Sequence, residues 1–350
     1  MKKRKSSKVS LGDVARAAGI SKTCVGYALQ NRPGVSKITR ERVLRIAKRL
    51  GYAPDARMTV LMESVRGAKS KELLPIAWLN TTIEKDAWQK YKFHTPLIEG
   101  ARERALELGY RIEEIWTRER GMTMQRISQI LWQRGIEGVI VTHPAKHLRL
   151  KWDHQACVSL GGNLLAPRLH QVIGDMNFNL LLALKVLRRH GYRRIGICLP
   201  EQVIWFAHRE IRSIAYHFVA TAAKSDRVPP LFYKGENEAD LLDSEKQVQA
   251  WVFRHRPDVV VGTSSRLRNW VKATGARVPE DVGIVHLAVD DDLPDWAGIH
   301  SNRREMGATA AEWVISLVQN HRFGVPKIGL NMLVRGSWQP GWTLLIPKGK

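Results

Sequence analysis

The sequence predicts a small all-α module at the amino end, followed by a larger α/β region with parallel sheets. Between residues 9 and 52, apolar residues recur at helical spacing, with helix-ending and helix-starting signals between the runs. From residue 74 onward, short β-rich runs alternate with amphipathic helical runs, which is typical of βαβ units. Charge is uneven as well, because residues 1–70 hold 17 Lys and Arg against 4 Asp and Glu.

Composition favours a polyanionic partner and a reducing compartment. The 350 residues carry a formal net charge of +23, which bears on partner and solubility and not on fold. Three scattered cysteines (Cys24, Cys157 and Cys198) argue against a disulfide framework and a zinc site. The basic arm of residues 1–8 lacks the apolar segment of a signal peptide, and no apolar run reaches membrane-span length. We expect a cytoplasmic, nucleoid-associated protein without membrane contact.

The first two helices follow from residues 11–29. Ala15 has a small side chain that lets a second helix cross close by, and Gly19 can end the first helix in a left-handed conformation. Ser21 can cap the next helix, whose Val25 and Leu29 return an apolar face to the first. This spacing predicts a helix-turn-helix, a motif whose second helix enters the DNA major groove. The alternative is an αα-hairpin without a DNA-binding role, which would show the same spacing.

A third helix is predicted directly afterwards. Ser36 is a candidate N-cap, and Gly51 with Pro54 ends the segment. The apolar residues recur at helical spacing: Val43, Ile46, Ala47 and Leu50. The segment from Ser10 to Ala56 then resembles the DNA-binding headpiece of the lac repressor (LacI-type) family of bacterial transcription regulators. The shared stretches are "DVARAAGIS", "NRPGVS", "TRERVLRIAKRLGY" and "APDA".

The resemblance implies which headpiece residues touch DNA. Lys22 and Thr23 match family positions that read bases, and Tyr27 stands where the family usually has Arg. Tyr cannot make the bidentate contact of Arg with guanine, so the target sequence should differ. Another set matches positions that hold the phosphate backbone and fix register: Ser10, Leu11, Ser21, Ser36 and Thr39.

Residues 57–73 match the hinge and linker of that family. The resemblance implies a short helix that orders on DNA and inserts Leu61 into the minor groove, where an apolar wedge kinks the duplex. Met58, in the same segment as Leu61, stands where the family has a small Ala. The alternative is that these apolar residues are ordinary helix-packing positions.

By periodicity alone, residues 74–350 form one large α/β domain or two lobes. The region also looks like the family's effector domain, which is similar to periplasmic sugar-binding proteins. That likeness is carried by "DMNFNLLLALKVLRRHGYRRIGICLP", "VPEDVGIVHLAV" and "LVRGSW". It implies two lobes with ligand between them, the first at 74–172 plus 300–323 and the second at 173–297 plus 326–340.

Effector residues are also implied by the resemblance. Arg212, in Arg-x-x-Ala-Tyr, matches the family's Arg-x-x-Gly-aromatic, whose Arg binds sugar hydroxyls or a ligand carboxylate. Arg suits that role because its planar guanidinium offers five hydrogen-bond donors. Asp175 matches a position near the cleft, and Ser264 with Ser265 replaces the usual Asn-Asp pair. Where the family has Gly-Phe-Asp-Asp, this chain has "HLAV" (residues 286–289), with Asp290 just beyond. Trp78, Trp88 and Trp205 are candidates for sugar stacking, although core packing is the commoner role of Trp.

We therefore expect three segments: residues 1–56 for DNA binding, 57–73 as hinge and linker, and 74–350 for effector binding and dimerisation. The expected protein is a homodimeric transcription regulator, a repressor, that binds a pseudo-palindromic operator under control of a sugar-like effector. The alternative is a dimeric regulator whose effector domain no longer binds a ligand. An enzyme is disfavoured because no phosphate loop, dinucleotide fingerprint, zinc-protease motif or nucleophile elbow occurs. No cofactor or metal is expected.

Overall fold

The computed structural model describes residues 9–29, 34–50, 52, 73–86, 94–142, 147–161, 164, 166–201, 210–234, 238–290 and 293–345. The predicted hinge residues Met58 and Leu61 lie outside the described residues, as do Trp88 and Trp205. None of the described helices is long and apolar enough to cross a bilayer.

The amino-terminal part is a bundle of three helices: α1 (Leu11–Ala18), α2 (Lys22–Leu29) and α3 (Lys37–Leu50). Gly19 ends α1 with φ of 65°, the left-handed conformation that its sequence position predicts. Val25 and Val43 are fully buried at the centre of the bundle, together with Ala15 and Ala47, which confirms the predicted apolar faces. Arg42 of α3 donates from Nη2 to the Ala18 carbonyl at 3.1 Å and so ties α3 to the end of α1.

Six strands form the first sheet, in the order β11-β5-β4-β3-β1-β2, and all their pairings are parallel. The strands are β1 (Leu74–Asn80), β2 (Tyr110–Trp116), β3 (Gly138–Thr142), β4 (Ala156–Leu160), β5 (His170–Gly174) and β11 (Asn331–Val334). The helices against this sheet are α4 (Thr95–Glu107), α5 (Met124–Gln133) and α10 (Arg303–Gln319).

Six further strands form the second sheet, in the order β12-β10-β9-β8-β6-β7, with only the β10–β12 pair antiparallel. They are β6 (Ile195–Pro200), β7 (Leu231–Tyr233), β8 (Val259–Gly262), β9 (Gly283–Val289), β10 (Gly298–His300) and β12 (Ser337–Gln339). The helices of this lobe are α6 (Met176–Arg189), α7 (Glu210–Thr221), α8 (Glu238–His255) and α9 (Leu267–Lys272).

Each sheet is covered on both faces, because strand residues alternate between two apolar clusters. In β1, Ile76 and Trp78 join the cluster under α4 and α10, whereas Ala77 and Leu79 join the cluster under α5. Fully apolar strands of this kind are typical of parallel sheets inside helical layers. The predicted βαβ architecture with parallel sheets is confirmed, and the helices lie on both faces of each sheet.

Three short crossovers join the lobes, at residues 174–176, 300–303 and 334–337. Each leaves the carboxyl end of a strand that is parallel to at least one neighbour, so the carboxyl edges of the two sheets face each other. The prediction that residues 326–340 belong entirely to the second lobe is wrong. β11 pairs with β5 in the first sheet, Leu333 lying opposite Ile173, and only β12 belongs to the second.

Helices α4 and α10 of the first lobe cross at backbone contact. A Cβ on Gly307 would lie 1.8 Å from the Leu97 carbonyl oxygen, and one on Gly100 would lie 2.0 Å from that of Arg304. Two glycines facing each other's helix backbone allow this approach. At the rim of the crossing, Arg304 pairs with Glu99 at 3.0 Å and with Glu103.

Candidate DNA-binding and effector sites

The predicted base-reading residues lie together on the outer face of α2. Lys22 and Thr23 open the helix and are exposed, and Tyr27 follows Thr23 by one turn with 38% exposure. The opposite face of the same helix holds Val25 and Ala28 in the core. The helix therefore presents three polar or aromatic side chains while packing anchors its back, which is the arrangement of a recognition helix.

Three of the predicted phosphate-contacting residues are the caps of the three helices. Ser10 and Asp13 form a capping box at α1, in which the Asp13 amide donates to Ser10 Oγ at 3.3 Å. Ser21 Oγ accepts from the Cys24 amide at 3.1 Å, and Ser36 Oγ accepts from the Thr39 amide at 3.2 Å. Helix amino ends present free N–H groups and positive potential, so they suit phosphate oxygens. Leu11 and Thr39 are partly buried beside these caps.

The predicted effector residues of the second lobe follow its strands at the carboxyl edge. Arg212 lies at the start of α7, with its guanidinium carbon 4.6 Å from the Phe232 ring centroid and Nη2 3.8 Å from Glu201 Oε1. Its Nε is buried and has no hydrogen-bond partner among the described residues. Ser264 Oγ accepts from the Arg266 amide at 3.2 Å, and the neighbouring Ser265 is exposed. Arg212 thus keeps donor capacity for a ligand.

The two predicted aspartates are engaged at the crossovers. Asp175 caps α6, with Oδ1 accepting from the Phe178 amide at 2.9 Å and Oδ2 3.9 Å from Arg335. Asp290 is buried, and Oδ2 lies 2.6 Å from Arg303 Nε and 2.9 Å from Ser301 Oγ. Its Oδ1 accepts from the Ser301 amide at 3.2 Å. Burial raises the pKa of Asp290, while Arg303 and Ser301 act in the opposite direction.

A cavity opens at the carboxyl edge of the first sheet, the edge from which the crossovers at residues 174–176 and 334–337 leave. Its lining residues are Trp78, Asn80, Thr82, His94, Leu97, Thr142 and Leu160. Asn80 is held in place because its amide donates to Glu114 Oε1 at 2.7 Å and to the Lys85 carbonyl at 2.9 Å. Of this set, sequence reasoning named only Trp78. The available signal was that Asn80 and Thr142 are polar residues at the ends of buried strands.

His286, the first residue of the "HLAV" stretch, is buried in β9. Nδ1 accepts from the Ala288 amide at 3.2 Å, and the ring packs edge-on to Trp296 with centroids 6.1 Å apart. Burial lowers the pKa of His286 to about 4. The folded state therefore binds fewer protons than the unfolded state between that value and the ordinary histidine pKa of about 6.5.

We expect this histidine to make the second lobe acid-sensitive. Its contribution is complete above pH 6.5 and is lost as pH falls toward 4, so the free energy of unfolding should drop by about 2 kcal/mol between pH 7 and pH 5. Urea unfolding at the two pH values measures this drop. The variant His286→Gln should show a smaller drop, and an equal drop in both proteins would exclude His286 as its source.

Two family descriptions match the chain. Residues 10–55 match "Bacterial regulatory proteins, lacI family", and residues 184–337 match the "Periplasmic binding protein-like domain". Among curated relatives, the HTH-type transcriptional regulator MalR of Streptococcus pneumoniae is 22% identical over 322 residues, covering 90% of this chain and 94% of the relative. The HTH-type transcriptional repressor PurR of Vibrio atlanticus is 21% identical, covering 89% of this chain and 92% of the relative.

Solved structures share the fold across the whole length. A transcriptional regulator CelR–cellobiose complex aligns with TM-score 0.54 and 18% identity, covering 96% of this chain and 99% of that one. The lac repressor dimer bound to operator and the anti-inducer ONPF aligns with TM-score 0.54 and 16% identity, covering 97% and 100%.

These matches define the class as a helix-turn-helix headpiece joined to a two-lobed domain of the periplasmic-binding-protein type. The chain carries a helix-turn-helix domain of the lacI family of bacterial regulatory proteins and a periplasmic-binding-protein-like domain, and it is a DNA-binding transcriptional regulator.

Proposed function

We propose that the protein is a homodimeric transcription repressor that binds a pseudo-palindromic operator and is controlled by a sugar-like effector. The observation that carries this proposal is the exposed triad of Lys22, Thr23 and Tyr27 on a helix whose opposite face is locked into the headpiece core. One recognition helix reads a half-site, so a two-fold dimer matches a two-fold operator. The lac repressor structure, solved as a dimer on operator, supports this assembly.

In this proposal the three segments divide the work. Residues 1–56 bind DNA, and their basic arm makes the affinity depend on salt concentration. Contacts with the phosphate backbone fix the register of the headpiece on the duplex, and they come from Ser10, Leu11, Ser21, Ser36 and Thr39. Residues 57–73 form the hinge, where Leu61 inserts into the minor groove and Met58 flanks it. Residues 74–350 bind the effector and dimerise. The site of action is the cytoplasm, and the protein catalyses no reaction.

The effector lies between the facing carboxyl edges of the two sheets. Arg212 contributes the donor fork from the second lobe, and the cavity beside Trp78 and Asn80 forms the wall in the first lobe. An aromatic wall and a charged donor suit a sugar, and the name MalR and the cellobiose complex of CelR support that ligand class. Ser264, Ser265 and Asp175 also lie near these carboxyl edges. Asp290 contributes indirectly, because its contacts with Ser301 and Arg303 fix the crossover at residues 300–303.

The alternative of a ligand-blind regulator is favoured by one observation. The carboxylates of the family's Gly-Phe-Asp-Asp are absent from residues 286–289. Asp290 lies just beyond them, but its Oδ1 already accepts a hydrogen bond from the Ser301 amide and its Oδ2 pairs with Arg303. In that case the lobes serve dimerisation alone.

Selection of bound duplexes from a random pool tests the proposal. The purified protein is used alone and with a panel of sugars that includes maltose and cellobiose. Enrichment of a pseudo-palindrome that one sugar alters supports the full proposal. Enrichment that no sugar alters favours the ligand-blind alternative, and no enrichment overturns the operator-binding role.

Replacing Tyr27 with alanine should change preference at one base pair in each half-site. Loss of one base contact costs about 1–3 kcal/mol of discrimination at that position and leaves the others intact. The same selection on the variant measures this change. The control is Ser36→Ala, which removes a predicted phosphate contact and should weaken all sequences alike. Uniform weakening by Tyr27→Ala would place Tyr27 outside base readout.

Replacing Arg212 with alanine should abolish the response to effector while operator affinity without effector stays unchanged. The reason is that a guanidinium whose buried Nε has no partner among the described residues is removed from the proposed effector site, whereas the headpiece is untouched. Operator titrations with and without the active sugar measure both quantities. Arg266→Ala, an exposed Arg on the same edge, is the matched control. A full response in the Arg212 variant would contradict the assignment.

A further inference from the structure

The first lobe has a second cavity at the edge opposite the crossovers. It has a volume of about 320 Å³, within the range of small-ligand sites. Cys157 is the second residue of β4 and His170 the first of β5, so the cavity lies at the amino ends of these strands. The remaining lining residues come from the end of α10 and the segment that leads to β11: Leu317, Arg322, Phe323, Gly324, Pro326, Ile328 and Leu330.

The cavity wall is apolar, and the lining contains no acidic residue. Leu317 and Cys157 are buried at the base, where burial raises the pKa of the Cys157 thiol and keeps it uncharged. Ile328 and Leu330 are 75% and 53% exposed at the rim. Large apolar side chains grouped at the mouth of a cavity are typical of a binding surface.

Two nitrogen groups face this apolar space. The ring of His170 packs against Trp313 at 5.0 Å, and its Nδ1 accepts from the Leu330 amide at 3.2 Å, which leaves Nε2–H as a donor. Burial, followed by the charge of Arg322, lowers the pKa of His170 and keeps the ring neutral. The Arg322 guanidinium forms no ion pair with an acidic residue in the described part of the chain.

We propose that this cavity is a second ligand site, which binds a small carboxylate with an apolar body. The carboxylate pairs with Arg322 and accepts from His170 Nε2, and the body covers Phe323, Ile328 and Leu330. A free sugar is disfavoured because its hydroxyls would face apolar walls without partners. The site is separate from the effector cleft, because the two cavities lie at opposite edges of the same sheet.

Ligand-observed NMR titration of the full-length protein with phenylacetate and hexanoate tests the proposal, with phenylacetamide and hexanamide as neutral partners. Ligands of this size reach a Kd of about 1 mM when well buried. We expect saturable binding of both carboxylates and at least tenfold weaker binding of the amides. Arg322→Gln should weaken carboxylate binding about tenfold and remove the preference over the amides.

Two variants locate the binding. Arg126→Gln, an exposed Arg on α5 outside the cavity, should leave the carboxylate Kd unchanged. Arg212→Ala should also leave it unchanged, because Arg212 belongs to the cleft. Leu330→Ser, checked for folding by its thermal midpoint, should weaken carboxylates and amides alike. The proposal is overturned if no probe saturates, if amides bind as well as carboxylates, or if Arg322→Gln binds like the unmodified protein.

Discussion

Replacing Asp290 with alanine is expected to lower the free energy of unfolding by about 3–4 kcal/mol. The Asp290 side chain is 4% exposed and pairs with Arg303, which is 20% exposed, at 2.6 Å. Removing the carboxylate takes this acceptor away from a largely buried guanidinium and from the Ser301 amide. The raised pKa of Asp290 indicates that burying this ion pair is itself costly, so the large effect comes from breaking the pair and not from its net gain.

Urea unfolding of the single and double variants measures this effect. Arg303→Met should also destabilise the fold, and Asp290→Leu combined with Arg303→Met should recover most of the loss, since no charge is left unpaired. The matched control is Asp281→Ala, which breaks the solvent-exposed pair with Arg277 at 2.7 Å and should shift the midpoint little. Equal shifts for Asp281→Ala and Asp290→Ala would contradict the role of burial.

Replacing Gly307 with alanine is expected to destabilise the first lobe by about 3 kcal/mol, at the upper end of overpacking effects. A Cβ there would lie 1.8 Å from the Leu97 carbonyl oxygen and 2.7 Å from its carbon. These are backbone atoms of α4, so relief requires α4 and α10 to move apart. That movement would also separate the cluster that includes Ile98 and Ala310.

Thermal unfolding monitored by circular dichroism tests this expectation. Gly26→Ala provides the same chemical change on a helix, but among the described residues no atom outside its chain neighbours and its own helix backbone lies within 4 Å of its Cβ position. That variant should be neutral or more stable by up to about 1 kcal/mol through helix propensity. If Gly307→Ala unfolds at the unmodified temperature, the two helices can separate at no cost and the close crossing does not stabilise the lobe.

Local signals made the headpiece predictable. Gly19 ends α1, and Ser21 and Ser36 cap the helices that follow them, as their positions in sequence indicate. The buried and exposed faces of α2 follow from helical periodicity, so the position of Lys22 and Thr23 on its exposed face could be predicted as well. Which bases they read depends on DNA contacts and stays a prediction.

The last strands of the chain were harder to predict. β10 and β12 have three residues each, and three of the four residues of β11 are exposed, so none gives a strong apolar signal. β11 pairs with β5 across about 160 residues of sequence. Nothing local in residues 331–334 indicates which sheet they join, and this explains the wrong lobe assignment.

The effector region was predicted only in part. Arg212 and Ser264 follow strands and therefore reach the carboxyl edge. The contacts of Asp290 depend on Ser301 and Arg303, which approach only when the crossover folds. The first-lobe cavity was missed because Asn80 and Thr142 belong to no motif, although both end buried strands.

The crossovers also determine the order in which a nascent chain can finish its lobes. β1 to β5 of the first sheet are made early, but α10 covers them and β11 completes the sheet only after the strands from β6 to β10 have been synthesised. Domains usually fold one after another during translation. Here residues 303–334 must leave the ribosome before the first sheet can be completed, and β12 of the second sheet follows only after them. The early half emerges with an open sheet edge and an uncovered apolar face, so the two lobes should be folded to completion together.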